Sequence, residues 1–329
     1  MIYVNYPYES TERLSFYLAT EEYLARNYPA KEYFFMWQVK PTVIFGRNQL
    51  IDNEVNLDYV IKNRIEYYRR KSGGGCVYSD PSNIMFSFIT PSFNKDFVFD
   101  KYLEKVVTLL KQLGLNAYFS GRNDILIDGY KVSGNAFYRV NDRSVVHGTM
   151  LYNTDLEAMV RAITPDNEKL ISKGIDSVRS RVKNIRDHMD IDIEDFKNHF
   201  KDNLCETSLT LTMEDVFGIR EIEKGYLSSD FIYGKNPNYT VKKKGKTEAG
   251  MIEISLELKN GIVKDIQMLG DYFLIEDADE FLNLFKNIRF NRSDFEDVLN
   301  ENPIEDFIYN LQKQDFLDIL FGEKPNNLI

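Results

Sequence analysis

Thiols and imidazoles are scarce in this chain: its 329 residues hold two cysteines, Cys76 and Cys205, and three histidines. Two cysteines build no disulfide framework, and without a CxxC or HExxH spacing no structural zinc site is expected. Basic residues are outnumbered, 41 Lys and Arg against 51 Asp and Glu. The resulting charge of −10 argues against bulk nucleic-acid binding, which rests on cations neutralising phosphates. Long apolar runs are missing too, and none approaches the roughly 20 residues of a membrane span. The N-terminal MIYVNYPYESTER lacks the basic start and apolar core of a secretory signal. A cytoplasmic protein with no membrane or nucleic-acid partner is expected, with a monomer as the default. Its 43% hydrophobic and 28% charged residues are those of a soluble globular chain, and its length suggests about two domains.

What is present centres on Arg69 to Phe88, RRKSGGGCVYSDPSNIMFSF. The glycines at 73, 74 and 75 allow backbone N–H groups to approach a ligand without intervening side chains. Arg70 and Lys71 stand just before them. With the apolar Ile65–Tyr68 run ahead and Ile84–Ile89 behind, the stretch predicts a β-turn-β offering donors to an anion. Upstream, Ser10 or Thr11 can cap a helix bearing Leu14, Tyr17, Leu18 and Tyr23, with Glu21 and Glu22 on its exposed side. Tyr33–Val39 and Thr42–Phe45 read as strands broken by Pro41, placing Arg47 at a strand end where a surface ion pair is the plainest role.

The second informative stretch is GRNDILIDGYKVSGNAFYR, Gly121 to Arg139. Asp128-Gly129 between two apolar runs is a two-residue hairpin signal. It puts Lys131 on a strand with Ser133, Gly134, Asn123 and Asp124 as small or polar neighbours. Val145–Tyr152 reads as a further strand carrying His147 and Gly148. Ser177–Asn184, SVRSRVKN, is rich in cations and hydroxyls, suited to a lid over phosphate. Helices are expected over Asp100–Leu113, Leu156–Ile163, Asp192–Leu204 and Thr212–Tyr226. The lysines at 242, 243, 244 and 246 have the composition of an exposed connector. A boundary there divides the chain into domains of 1–243 and 244–329. Beyond it, Asn260-Gly261 marks a hairpin, and helices near Asp277–Asn287, Asp294–Asn300 and Pro303–Phe321 complete a small α+β domain.

Taken in order, RRKSGGGCVYSD, GRNDILIDGYKVSGNAF, HGTMLYNTDL and SVRSRVKN resemble lipoate-protein ligases of the biotin and lipoate ligase superfamily. LATEEYL, PTVIFGRNQ and the chain from Gly234 onward extend the resemblance over nearly the whole length. It implies an α+β fold, a mostly antiparallel sheet flanked by helices and related to class II synthetases, with a smaller C-terminal α+β domain. It also implies ATP-dependent activation of lipoate to lipoyl-AMP, release of pyrophosphate, and transfer of the lipoyl group to a carrier lysine. By resemblance Lys131 bridges the lipoate carboxyl and the α-phosphate. Arg70, Gly75, Cys76, Val77, Tyr78, Asp124 and Lys131 would contact ATP, with Asp124 touching Mg²⁺. Arg70, Ser72, Gly73, Gly74, Asn123, Lys131 and His147 would contact lipoate. Ser177, Val178, Arg179, Ser180, Arg181, Val182, Lys183 and Asn184 match the adenylate-binding loop. The acceptor would be a lipoyl domain of a 2-oxoacid dehydrogenase or a glycine-cleavage H protein.

Two departures concern the pocket: Ser79-Asp80 stands where many ligases have His-Asp, and Pro81-Ser82-Asn83 replaces a Gly-Asn form. The rival readings are an ATP-independent acyltransferase working through a Cys76 thioester, and a non-catalytic acyl-adenylate binding protein. An acidic carrier would dock on local positive charge, for which Arg179, Arg181, Lys183 and the Lys242–Lys246 cluster are candidates.

Overall fold

The computed structural model describes residues 1–9, 11–49, 51–91, 95–120, 123–163, 180–233, 241–259 and 261–322. The chain forms two compact units. The first comprises Met1–Phe45, Ile51–Lys71 and Cys76–Tyr233, and the second Gly46–Leu50, Ser72–Gly75 and Gly234–Ile329. Among the described residues no helix is long and apolar enough to cross a membrane.

In the first unit the strands are β1 (Ile2–Asn5), β2 (Tyr33–Trp37), β3 (Thr42–Phe45), β4 (Glu66–Arg69), β5 (Val77–Ser79), β6 (Ile84–Thr90), β7 (Ala117–Ser120), β8 (Asp124–Ile127), β9 (Tyr130–Val140), β10 (Arg143–Met150) and β11 (Thr207–Thr210). Eight of them form one sheet in the order β11-β1-β2-β6-β10-β9-β8-β7, and three form a second in the order β4-β3-β5. In the large sheet β1 runs parallel to both neighbours, and every pairing from β2 to β7 is antiparallel. The expected α+β, largely antiparallel architecture is thus observed. The expected β-turn-β around the glycines is not: β4 and β5 flank β3 on opposite sides, and β6 belongs to the other sheet. The apolar runs located β4 and β6 but not their partners, which are set by burial against the rest of the chain.

The helix Leu14–Asn27 begins at Arg13 without a side-chain cap, and Ser10 lies outside the described residues. Its Leu14, Phe16, Leu18 and Leu24 are buried in the main core with Phe35, Ile89 and Val145. Glu21 and Glu22, expected on its exposed side, are 0% and 2% exposed. Glu21 is covered by Ser87, Tyr138 and His147 of β6, β9 and β10. Glu22 is covered by Tyr226 of the helix Met213–Tyr226, which packs so closely that a Cβ on Gly218 would lie 2.3 Å from the Tyr23 ring. Burial of the two carboxylates is tolerated because each is supplied with donors. Glu22 receives Lys71 Nζ at 2.6 Å and Tyr226 OH at 3.1 Å.

The second unit carries β12 (Val241–Thr247), β13 (Gly250–Lys259) and β14 (Ile262–Gly270), paired antiparallel in that order. Its core joins Ile252, Ile254 and Leu256 of β13 to Phe281, Phe295, Phe316 and Leu317 of three helices, Ala278–Asn283, Arg292–Glu301 and Lys313–Phe321. The lysine-rich stretch is therefore an edge strand rather than a connector. The backbone edge of β13 offers a pairing partner, and lysines are well suited to an open edge. The helix expected over Pro303–Phe321 is interrupted after a short turn at Ile304–Asp306, where Asn310 takes φ 58°.

Two short N-terminal segments fold with this unit. Gly270 N–H donates to Asn48 O at 2.9 Å, Arg47 N–H to Ser72 O at 2.9 Å, and Gly74 N–H to Tyr272 O at 3.0 Å. A Cβ on Gly73 would lie 1.9 Å from the Tyr272 carbonyl oxygen, so glycine is required there for steric reasons. Arg47 makes the surface ion pair expected of it, with Asp279 at 3.3 Å and Asp277 at 3.8 Å.

Candidate active site

The β8–β9 hairpin carries Lys131 and Asp124, two of the residues expected in the site. Asp128 (φ 50°) and Gly129 (φ 86°) form its turn, the left-handed pair that a type I′ turn demands. The register places Asp124 opposite Gly134, and an irregularity between Ile125 and Leu126 shifts it so that Lys131 faces Leu126. Lys131 folds back along the hairpin until Nζ lies 2.7 Å from Asp124 Oδ1. This is a charge contact outside hydrogen-bond geometry, since Oδ1 has no hydrogen-bond partner. The absence of a side chain at Gly134 makes the path possible: a Cβ there would sit 3.3 Å from both Lys131 Cε and Nζ. Lys131 and Asp124 remain about one-third exposed, 37% and 33% of their side chains, open to an incoming ligand.

Asn123 is held rather than presented. Its Nδ2 donates to Asn135 O at 2.9 Å, while Asn135 returns its backbone N–H and its Nδ2 to Asn123 O, both at 3.0 Å. Asn135 escaped the sequence reading. It also explains Gly148, whose Cβ would lie 2.0 Å from Asn135 Oδ1. Asn135 stood within the stretch singled out from sequence, but its pairing with Gly148 belongs to the β9–β10 ladder, which local pattern does not show.

The loop residues Ser177, Val178 and Arg179 lie outside the described residues. Ser180 is exposed, and the segment after it docks on the lysine. Val182 forms a parallel bridge with Lys131, Lys131 N–H donates to Arg181 O at 2.8 Å, and Lys183 N–H to Lys131 O at 3.1 Å. Lys183 Nζ lies 3.8 Å from the centre of the Tyr130 ring, a cation–π contact. Asn184 clamps the exit: its side chain exchanges hydrogen bonds with the Thr154 backbone, both at 3.0 Å.

Arg70, Cys76, Val77 and Tyr78 lie together around the second sheet. Arg70 is buried, with its N–H on Phe45 O at 3.0 Å and Nη1 on Ile44 O at 3.2 Å. Loss of solvent brings its guanidinium down to about 10, leaving it charged at neutral pH. Cys76 is half-buried, and desolvation of its sulfur, helped by Glu54, pushes the thiol up to about 12 against the opposing pull of Arg70. Val77 and Tyr78 lie on β5, and the Tyr78 ring joins Val43 and Phe45 in a separate apolar cluster. The divergent Ser79–Asn83 segment is an ordered turn. Asp80 accepts from Ser82 N–H at 2.8 Å and Asp155 N–H at 3.1 Å, and burial raises its pKa.

His147 is set apart from Lys131 by its own buried network. Its Nδ1 lies 3.0 Å from both oxygens of Glu21. Glu21 also accepts from Ser87 Oγ at 2.5 Å and Tyr138 OH at 3.1 Å, and Ser87 accepts from Trp37 Nε1 at 3.0 Å. Ser72, Gly73, Gly74 and Gly75 belong to the second unit. Among the described residues no cluster of three or more His, Cys, Asp or Glu could enclose a metal ion.

Comparison with known proteins bears out the resemblance. Residues 14–205 match the model of the Lipoyl protein ligase A/B catalytic domain, and residues 236–320 that of the Bacterial lipoate protein ligase C-terminus. The chain is 36% identical over 316 residues to the lipoate-protein ligase LplJ of Bacillus subtilis, covering 92% of this chain and 96% of that one. A bipartite lipoate protein ligase of Thermoplasma acidophilum, described together with its E2 lipoyl domain as an archaeal lipoylation system, superposes with TM-score 0.66 at 28% identity over 73% of this chain and 98% of that one. A lipoate-protein ligase A bound with ATP gives TM-score 0.62 at 25% identity, covering 71% and 98%. The chain belongs to the lipoate-protein ligase family and is an enzyme of that class.

Proposed function

We propose that this ligase activates lipoate with ATP to lipoyl-AMP and transfers the lipoyl group to a lysine of a lipoyl domain or H protein, acting as a cytoplasmic monomer. The observation that carries the reading is Lys131, lying over Gly134 beside Asp124 with the Arg181–Lys183 segment bridged to its backbone. The ATP-bound relative, and the relative that belongs to a lipoylation system with an E2 lipoyl domain, support the nucleotide and the acceptor.

In the first step a lipoate oxygen attacks the α-phosphorus, and the bond to pyrophosphate breaks. Negative charge builds between two groups that are already anionic. A fixed ammonium at that point is worth several kcal/mol, on the order of the ~3–4 kcal/mol lost with one such donor in other enzymes. Lys131 fills this role, and Arg70 supplies a second buried cation to the nucleotide. In the second step an acceptor lysine, as free amine, attacks the acyl carbon; AMP leaves and the amine's proton is lost. A carboxylate oxygen without a hydrogen-bond partner, Asp124 Oδ1, fits a hard cation such as Mg²⁺. Asp124 would provide the protein oxygen, and the ion would supply charge neutralisation. Asn123, Asn135 and Asn184 position the strands around them, and His147 with Glu21 forms part of the wall proposed for the acyl chain.

A thioester route requires a thiol that ionises near neutral pH. Cys76, pushed up to about 12, weighs against it. ATP–pyrophosphate exchange in wild type and Lys131→Ala tests the reading. Lipoate-dependent exchange that collapses in the variant is expected. Lipoate binding without exchange in wild type would overturn the reading in favour of a non-catalytic binder.

A further inference from the structure

The second unit is acidic apart from one edge. Between residues 241 and 322 the sequence holds 17 Asp and Glu against 10 Lys and Arg, and four of those ten lie within five positions of β12. Lys242, Lys243, Lys244 and Lys246 are all exposed. Among the described residues β12 is the outer strand of its sheet, paired with β13 on one side. The register puts Lys242 opposite Ser255, Lys244 opposite Glu253 and Lys246 opposite Met251, on the face turned away from Ile252 and Ile254. Among the described residues no ion pair joins any of the four to a carboxylate, not even Lys244 to the Glu253 across from it.

Uncompensated like charge at such density is unfavourable for the isolated fold. Of the other basic residues considered from sequence, Lys183 lies over Tyr130 and Arg181 is bonded through its backbone to Lys131. Resting on the function proposed above, we propose that the lysine edge of β12 is the docking surface for an acidic face of the acceptor domain. Attraction of this kind acts on encounter and on the apparent affinity for the protein substrate rather than on the adenylation chemistry.

Edge lysines have a competing role, since a charged edge deters strand-to-strand aggregation. The sign of the charge separates the two. Repulsion between edges survives replacement of lysine by glutamate, whereas docking of an acidic partner does not. Lys242 and Lys246 face neutral residues across the ladder, so Lys242→Glu/Lys246→Glu retains the strand's direct pairings.

The experiment measures both half-reactions of the full-length enzyme, with an apo E2 lipoyl domain as acceptor. The double glutamate variant should keep wild-type ATP–pyrophosphate exchange, with an unfolding midpoint at or above wild type because like-charge repulsion is relieved. Its KM for the lipoyl domain should rise about 10-fold or more at low ionic strength, with the gap closing as salt approaches about 1 M. Lys242→Arg/Lys246→Arg should behave as wild type. An unchanged KM in the glutamate variant at low salt overturns the proposal. So does reduced binding to vesicles containing phosphatidylserine with KM unmoved, which would assign the edge to an anionic surface. Absence of lipoate-dependent exchange in wild type would instead strike at the function itself, so the two failures are distinguishable.

Discussion

Replacing Gly134 with alanine is a sharp test of whether the lysine's placement matters, because it moves the ammonium without removing it. Gly134 lies in extended β9 and is not at positive φ, so alanine costs no backbone strain. A fold effect should be neutral or slightly favourable, about 0.4–1 kcal/mol from reduced unfolded-state freedom. The new methyl would sit 3.3 Å from Lys131 Cε and Nζ, closer than such contacts normally settle, and the flexible lysine tip is what yields. A shift of a few tenths of an ångström to about 1 Å follows, and misplacements of that size cost up to about 10²-fold in rate. Pyrophosphate exchange should therefore fall by about 10- to 100-fold, equivalent to about 1.4–2.7 kcal/mol of barrier, with an unfolding midpoint at or above wild type. Wild-type exchange in a fully folded Gly134→Ala enzyme would refute the claim that Lys131 acts from the position seen. A comparable loss of stability would show instead that the glycine serves packing.

The other predictions concern groups whose role is set by burial. Gly73→Ala places a methyl on the Tyr272 carbonyl, and backbone cannot yield as a side chain does. A destabilisation of about 1–3 kcal/mol is expected by denaturant titration, and an unaltered midpoint would contradict the clash. Glu21→Gln turns an acceptor of three donors into a group that must also place an NH₂ among them, and should cost about 1–3 kcal/mol; a neutral result would mean the buried network repacks freely. The Cys76 thiol is raised in the folded chain to about 12, above the roughly 8.5 of an unfolded cysteine. The stabilising contribution is thus complete below about pH 8.5 and fades as the pH climbs towards 12. The stability gap between wild type and Cys76→Ser should shift steadily in the variant's favour across that window, and a gap constant from pH 7 to 10.5 would exclude it. The same variant should retain pyrophosphate exchange, whereas its loss would revive the thioester route.

Much of the fold could be read from short-range pattern. The Asp128-Gly129 turn, the helix at Leu156–Ile163 and the Thr212 cap before Met213–Tyr226 follow from local chemistry, and each is found in place. The reading failed where distant chain decided the outcome. Thr207–Thr210 was not anticipated as a strand, since it has little apolar alternation and exists because β1 offers a parallel edge. The lysines of β12 were assigned to a linker because composition does not register a neighbouring strand. Within the site, Lys131 and Asp124 could be paired from the hairpin alone, while Asn135 could not be linked to Gly148 before the ladder between β9 and β10 was known.

Glu21 and Glu22 show most clearly what a sequence leaves out. Two adjacent acids on a helix read as a solvated face, because on average ionised carboxylates remain in water. Arg26, one helical turn on, pairs with Glu22, but the other donors come from positions 49 or more residues away, Ser87, Tyr138 and His147 for Glu21, and Lys71 and Tyr226 for Glu22. No local window contains those partners, and no single donor would suffice to compensate the burial of a carboxylate. The network forms only when β6, β9, β10 and both packed helices are assembled. It is therefore a product of the completed fold, and through His147 it ties the wall proposed for the acyl chain to the helix that organises the core.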